Sequence, residues 1–218
     1  MNFQTLLAKK AVYTFALITS LIIFIGFLIQ HVLFTKDVYY RTLSEQLSFE
    51  QIDNLIAAQN KYEYLGYLLL TVFNLIKYSL LALIIQMGAF LWGYRINYNK
   101  IFKIVIISEF IFVIPIVIKF LFFYLFDQRY TPEEVQLFYP LSFLSAFPIH
   151  TISKLWIYPL QVINVFEVFY WFILAYGINK IIVADFNRSL KIVISSYLPA
   201  LVIWMVFVLF ITVTLTAA

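Results

Sequence analysis

The chain contains no cysteine, which removes disulfides, thiolate nucleophiles and cysteine metal sites from consideration. Ionisable residues are scarce, with only 12% of the 218 residues being Asp, Glu, Lys or Arg. Histidine occurs twice, as His31 and His150, and neither has a partner at metal-ligand spacing. There are five glycines, and the chain has no glycine-rich phosphate cradle, HExxH zinc helix, GxSxG elbow or P-loop. The sequence therefore names no catalytic residue, metal ligand or cofactor. No Gly-, Ser- or Pro-rich linker, low-complexity tract or internal repeat divides residues 1–218, so one domain is expected.

What is abundant is apolar. Hydrophobic residues make up 64% of the chain and aromatics 20%, including 24 Phe and 16 Tyr. A water-soluble domain of this size has no way to hide so much apolar surface. An all-α, polytopic membrane bundle in contact with the lipid bilayer is expected. Five runs are long enough to span, over about residues 11–34, 64–92, 104–126, 160–178 and 192–216. The first is too long for a signal-peptide core and lacks a small-x-small cleavage pattern. The basic residues form no stripe, which speaks against nucleic acid as a partner. They are explained instead by helix orientation.

With the N-terminus in the cytoplasm, that side collects Lys9, Lys10, Arg95, Lys100, Lys103, Lys180, Arg188 and Lys191 against a single acid, Asp185. The opposite side holds Lys36, Arg41, Lys61, Arg129 and Lys154 among many acids, in much longer loops. The positive-inside rule places the N-terminus in the cytoplasm and the C-terminus outside. Tyr62, Tyr64, Tyr94, Tyr98, Tyr158, Trp92 and Trp156 fall near expected helix ends, as interfacial belt residues do. In the first outer loop Ser48-x-x-Gln51 reads as a capping box for a short amphipathic helix. In the second, Thr131-Pro132-Glu133-Glu134 combines an N-cap, a proline at N1 and an acid at N3. Glu133-Glu134 is similar to the paired glutamates of CAAX-type membrane proteases. Phe138 stands where those have an arginine, and the helix cap accounts for both carboxylates. The short apolar run from Tyr139 to Pro148 is bounded by Pro140 and Pro148. It reads as interfacial or re-entrant.

Against this apolar background the polar residues stand out. Gln161, Asn164 and Glu167 recur every third residue, with Trp171 following, and should share one face of the fourth helix. Asn74, Lys77 and Tyr78 share a side of the second, with Gly88 as a close-approach position. Ser108, Glu109, Pro115 and Lys119 share a side of the third, and Pro115 should kink it. Counted from the cytoplasmic helix ends, Lys77 and Lys119 lie at roughly 22 Å and Glu167 at roughly 16 Å. Glu109, at roughly 8 Å, should reach the headgroups or Arg95. A polar seam of Asn74, Lys77, Tyr78, Glu109, Lys119, Asn164 and Glu167 results, in which Glu167 is expected to pair with Lys77 or Lys119. Such a seam either fixes which helices meet or binds a proton, an anion or a polar substrate group.

Pro140 to Phe147 (PLSFLSAF), then Asn164 to Ile178 (NVFEVFYWFILAYGI), a basic loop and a last apolar helix follow in order. With Trp171 and Ala175-Tyr176-Gly177, this segment resembles the bacterial branch of the Yip1-domain membrane proteins, over about residues 140–210. The resemblance implies a five-helix bundle with a cytosolic N-terminus, in a family known for partner binding. The acidic and glycine-proline motifs of eukaryotic members, and their long cytosolic extension, are absent. Ile-, Phe-, Lys-, Asn- and Tyr-rich usage suits an AT-rich bacterial genome and hence a bacterial inner membrane. The expected function is a non-enzymatic accessory or scaffold subunit that binds other membrane proteins, with homo-oligomerisation left open. The alternative is a small transporter or channel component with a polar site at Lys77, Lys119 and Glu167.

Overall fold

Apolar runs free of internal breakers form long helices, and the computed structural model is helical throughout. It describes residues 11–127, 129–148, 151–182 and 185–216. The sequence readings on Lys9, Lys10 and His150 lie outside the described residues. Helix α1 (Ala11–Leu28) runs into a π turn (Ile29–Leu33), and α2 (Lys36–Leu43) follows. Helix α3 (Phe49–Leu91) has 43 residues, about 64 Å at 1.5 Å per residue. Its start is the expected capping box, with Gln51 N donating to Ser48 Oγ and Ser48 N donating to Gln51 Oε1. The expected separate amphipathic helix is continuous with the span. No proline or glycine interrupts Phe49 to Leu65, and Ala57 to Lys61 are mostly good helix formers, so nothing stops propagation. The helix ends where Gly93 takes a φ of +84°, the left-handed conformation suited to the residue after a helix.

Helix α4 (Tyr98–Glu109) gives way to a 3-10 turn (Phe110–Phe112) and then α5 (Val113–Leu125). Pro115 has no N–H for the carbonyl four residues back, so the expected kink takes the form of this tighter turn, just before the proline. Next come α6 (Pro132–Leu137), a 3-10 turn (Phe143–Ala146), α7 (Lys154–Val162), α8 (Val165–Ile182) and α9 (Phe186–Thr216). Thr131 caps α6 with a complete capping box, as expected from the sequence.

Five of these segments are long and apolar enough to cross a membrane: Ala11–Leu33, Phe49–Leu91, Tyr98–Leu125, Val165–Ile182 and Phe186–Leu215. Helices α3, α4, α8 and α9 pack in a ring, each against the next, and α1 lies outside on α4 and α5. The ring core contains Tyr78, Ala82, Ile85 and Ala89 of α3, Ile104 and Val105 of α4, Tyr170, Leu174 and Ile178 of α8, and Ile192 and Tyr197 of α9. Two glycines set its spacing. A Cβ on Gly88 would lie 2.4 Å from Ser196 Cβ, and one on Gly177 would lie 2.5 Å from Ile104 Cγ2. Away from the ring, α2, the start of α3 and α6 form a small second layer. There Tyr130 donates to the Leu33 carbonyl at 2.8 Å, and burial pushes its phenol above the ordinary value.

One expectation for the fourth span is corrected. Leu160 to Val162 belong to α7, and α8 begins only at Val165. Asn164 is responsible. Its side-chain carbonyl accepts from Glu167 N at 2.8 Å, while its amide donates to the Gln161 and Val162 carbonyls. This is N-cap behaviour, and it ends one helix and starts the next. The apolar segment before α7 is clipped to this junction. Phe143 N donates to the Ile163 carbonyl at 2.8 Å and Val165 N to the Leu141 carbonyl at 3.2 Å, around an isolated Ser142–Asn164 bridge.

Candidate functional site

The polar residues of the ring converge where α3, α4, α8 and α9 meet. Lys77 of α3 places its ammonium 2.8 Å from Glu109 Oε2 at the end of α4. The partners are unequally placed, the Glu109 side chain being 3% exposed and that of Lys77 50%. The ammonium also lies 5.3 Å from the centre of the Phe112 ring and 5.7 Å from that of Tyr78, within cation–π range. Tyr78 is buried, with its ring edge-on to Phe15 of α1. Asn74 sits about one turn away, half-buried.

Glu109 Oε1, the oxygen turned away from Lys77, is buried and has no hydrogen-bond partner other than the Tyr170 hydroxyl among the described residues. Tyr170, on α8, is wholly buried too. The two groups interact electrostatically across the ring. One turn along α8, Glu167 is also buried, at 7% exposure. Its Oε1 accepts from Trp171 Nε1 at 3.0 Å, and the Tyr197 hydroxyl of α9 lies against the same carboxylate. Tyr158 of α7 closes the far side. It accepts from Trp204 Nε1 at 2.7 Å and feels the charges of both Lys77 and Glu167. Tyr139, from the loop after α6, feels both glutamates.

Several sequence expectations change here. Glu167 is not paired with Lys77 or Lys119, because Lys77 is taken by Glu109 and Lys119 points elsewhere. Lys119 donates to the Gln136 carbonyl at 3.3 Å, in the last turn of α6, where a cation complements the helix C-terminus. It therefore leaves the seam. Glu109 pairs with Lys77 and not with Arg95. Its helix begins at Tyr98 rather than Ile104, which puts it about 16 Å along rather than 8 Å. Arg95 instead lines a cavity of about 200 Å3 with Tyr94 and Lys100 at the turn between α3 and α4. Gln161, expected on the Glu167 face, lies on α7 and donates to the Leu137 carbonyl. His31 is not isolated. The π turn brings its Nε2 to 3.1 Å from Glu63 Oε1, and the Tyr67 hydroxyl also donates to that carboxylate.

The structure keeps Trp171 beside Glu167 and adds Tyr170, Tyr197 and Tyr158 to the site. Tyr170 and Trp171 follow Glu167 by three and four residues, so helical spacing placed them on its face. Tyr158 and Tyr197 come from other helices, and no spacing announces them. Among the described residues no group of three or more His, Asp or Glu side chains is arranged to hold a metal ion.

No protein-family model, no curated protein and no solved structure matches the chain. The likeness to Yip1-domain proteins thus rests on the residues quoted for it. The class that the fold defines is a helical protein with five helices fit to cross a membrane and a buried acidic site among four of them.

Proposed function

We propose that this is an integral protein of a bacterial cytoplasmic membrane, acting as a non-enzymatic accessory or scaffold subunit that binds other membrane proteins. The N-terminus is cytoplasmic and the C-terminus outside, with α2, the start of α3 and α6 on the outer side. Loop charge supports this orientation, and the Yip1-like texture of residues 140–210 agrees with partner binding.

One observation carries the reading. From 57 to 77 α3 has no buried residue, and α9 has none from 198 to 215. Phe73, at 67% exposure, and Phe210, also at 67%, represent these two stretches. Lipid can cover apolar side chains, but Lys77 sits at the edge of this open region, about 21 Å from the end of α3, with half of its side chain uncovered. Hydrocarbon has no acceptor for the ammonium N–H groups left over from Glu109. A partner helix carrying a polar side chain supplies one and covers both bare stretches.

Photo-crosslinkers at Phe73 and Phe210, used in native membranes, test this. A discrete adduct should form at both positions, with a companion that co-purifies in fixed ratio in mild detergent and is weakened by Lys77→Leu. A clean monomer without adducts overturns the proposal.

A further inference from the structure

We infer that the ring encloses a proton-binding site, in which Glu167 carries one exchangeable proton and Glu109 with Tyr170 forms its second station. This stands apart from the accessory role and does not depend on it.

The argument begins with a charge count. The ionisable and phenolic groups facing the cluster are Lys77 and Tyr78 from α3, Glu109 from α4, Tyr139 from the loop after α6, Tyr158 from α7, Glu167 and Tyr170 from α8, and Tyr197 from α9. Two are acids and one is a base. Lys77 neutralises Glu109 at 2.8 Å, so full ionisation leaves one uncompensated negative charge on Glu167. That carboxylate is 7% exposed and receives the Trp171 indole N–H and the Tyr197 hydroxyl, but among the described residues no cation lies within 4 Å. A buried carboxylate without a counter-charge neutralises itself by taking up a proton.

A second, independent observation makes this a site rather than a buried acid. Glu109 Oε1 and the Tyr170 hydroxyl are both buried, lie close to each other, and have no other hydrogen-bond partner among the described residues. Tyr170 follows Glu167 by three residues, so it lies on the same face of α8. A buried carboxylate oxygen and a hydroxyl that have only each other provide the place to which the proton moves when Glu167 releases it. The exchange is simple: Glu167 carboxylate plus a proton gives the neutral acid, and release reverses it.

The test is infrared spectroscopy of the full chain in detergent at neutral pH, reading the carbonyl stretch of protonated carboxyl groups and its shift in heavy water. The wild type should show one such band, which Glu167→Gln abolishes and Glu167→Asp retains. Lys77→Met removes the only base, so Glu109 should also take up a proton and the band should grow about twofold. The band should be the same in sodium, potassium and choline buffers. Absence of the band in the wild type, its survival in Glu167→Gln, or no growth in Lys77→Met overturns the proposal. Loss of the band in sodium or potassium alone assigns the site to an alkali cation and also overturns it.

Discussion

Helix α3 passes through two environments that its hydropathy does not distinguish. Between Tyr78 and Ala89 it buries Tyr78, Ala82, Ile85, Gly88 and Ala89, one face at helical spacing. Between 57 and 77 it buries nothing, although Leu65, Leu68, Leu69, Val72 and Phe73 are equally apolar. The difference lies in size. Ala82, Gly88 and Ala89 let α9 approach until Ser196 fills the space that a Gly88 Cβ would take. The outer stretch has a glycine too, Gly66, but large side chains flank it and no helix approaches it: a Cβ there would meet nothing within 4 Å. In a bilayer apolar character does not drive helices together, since lipid is equally apolar, and close approach of small residues does.

Four experiments break or sharpen this contrast. The largest effect is all-or-none. Single cysteines at Asn97 and Arg129 lie at opposite ends of the bundle and should react with an impermeant thiol reagent from opposite sides of the membrane. Reaction of both from one side would overturn the orientation. Next, Gly88→Ala should destabilise the bundle by about 1–3 kcal/mol, measured as thermal stability in detergent, because the obstructing atom is Ser196 Cβ, fixed to its own helix. Asn164→Ala should cost about 1 kcal/mol by removing the cap that starts α8. Smallest and opposite in sign is Gly66→Ala, in the open stretch, where an added Cβ meets nothing within 4 Å. It should stabilise the helix by roughly 0.5–1 kcal/mol. If both glycine substitutions act alike, the contrast between the two stretches fails.

The same contrast marks what the sequence could disclose. Spans and caps are local, so five apolar runs and the boxes at Ser48 and Thr131 were legible before any coordinates. Gly88 could be singled out as a close approach, but its partner could not, because Ser196 lies more than a hundred residues away. The polar seam was legible as a list rather than as a pairing. Glu109 belongs to the list, but its partner Lys77 sits on another helix, and no spacing within one helix announces it. Third-residue spacing assigns Asn164 to a helix face, but Asn164-x-x-Glu167 has the spacing of an N-cap as well. Reading it so would have ended α7 where it ends, and would have separated Gln161 from Glu167. Lys119 was misplaced for a different reason. Its acceptor is a backbone carbonyl of α6, and no side-chain pattern signals a backbone partner.

The bridge between Ser142 and Asn164 has a consequence for how the chain is threaded. Two backbone hydrogen bonds hold its flanks together, so residues 143–163 leave and return at nearly the same point. Topologically they are a detour, and the segments on either side are joined almost as if the detour were absent. Closing a longer detour costs little, about 0.6 kcal/mol for each doubling of its length. Residues inserted ahead of α7 should therefore leave the start of α8 unchanged, whereas deletion of α7 would take Tyr158 from the site.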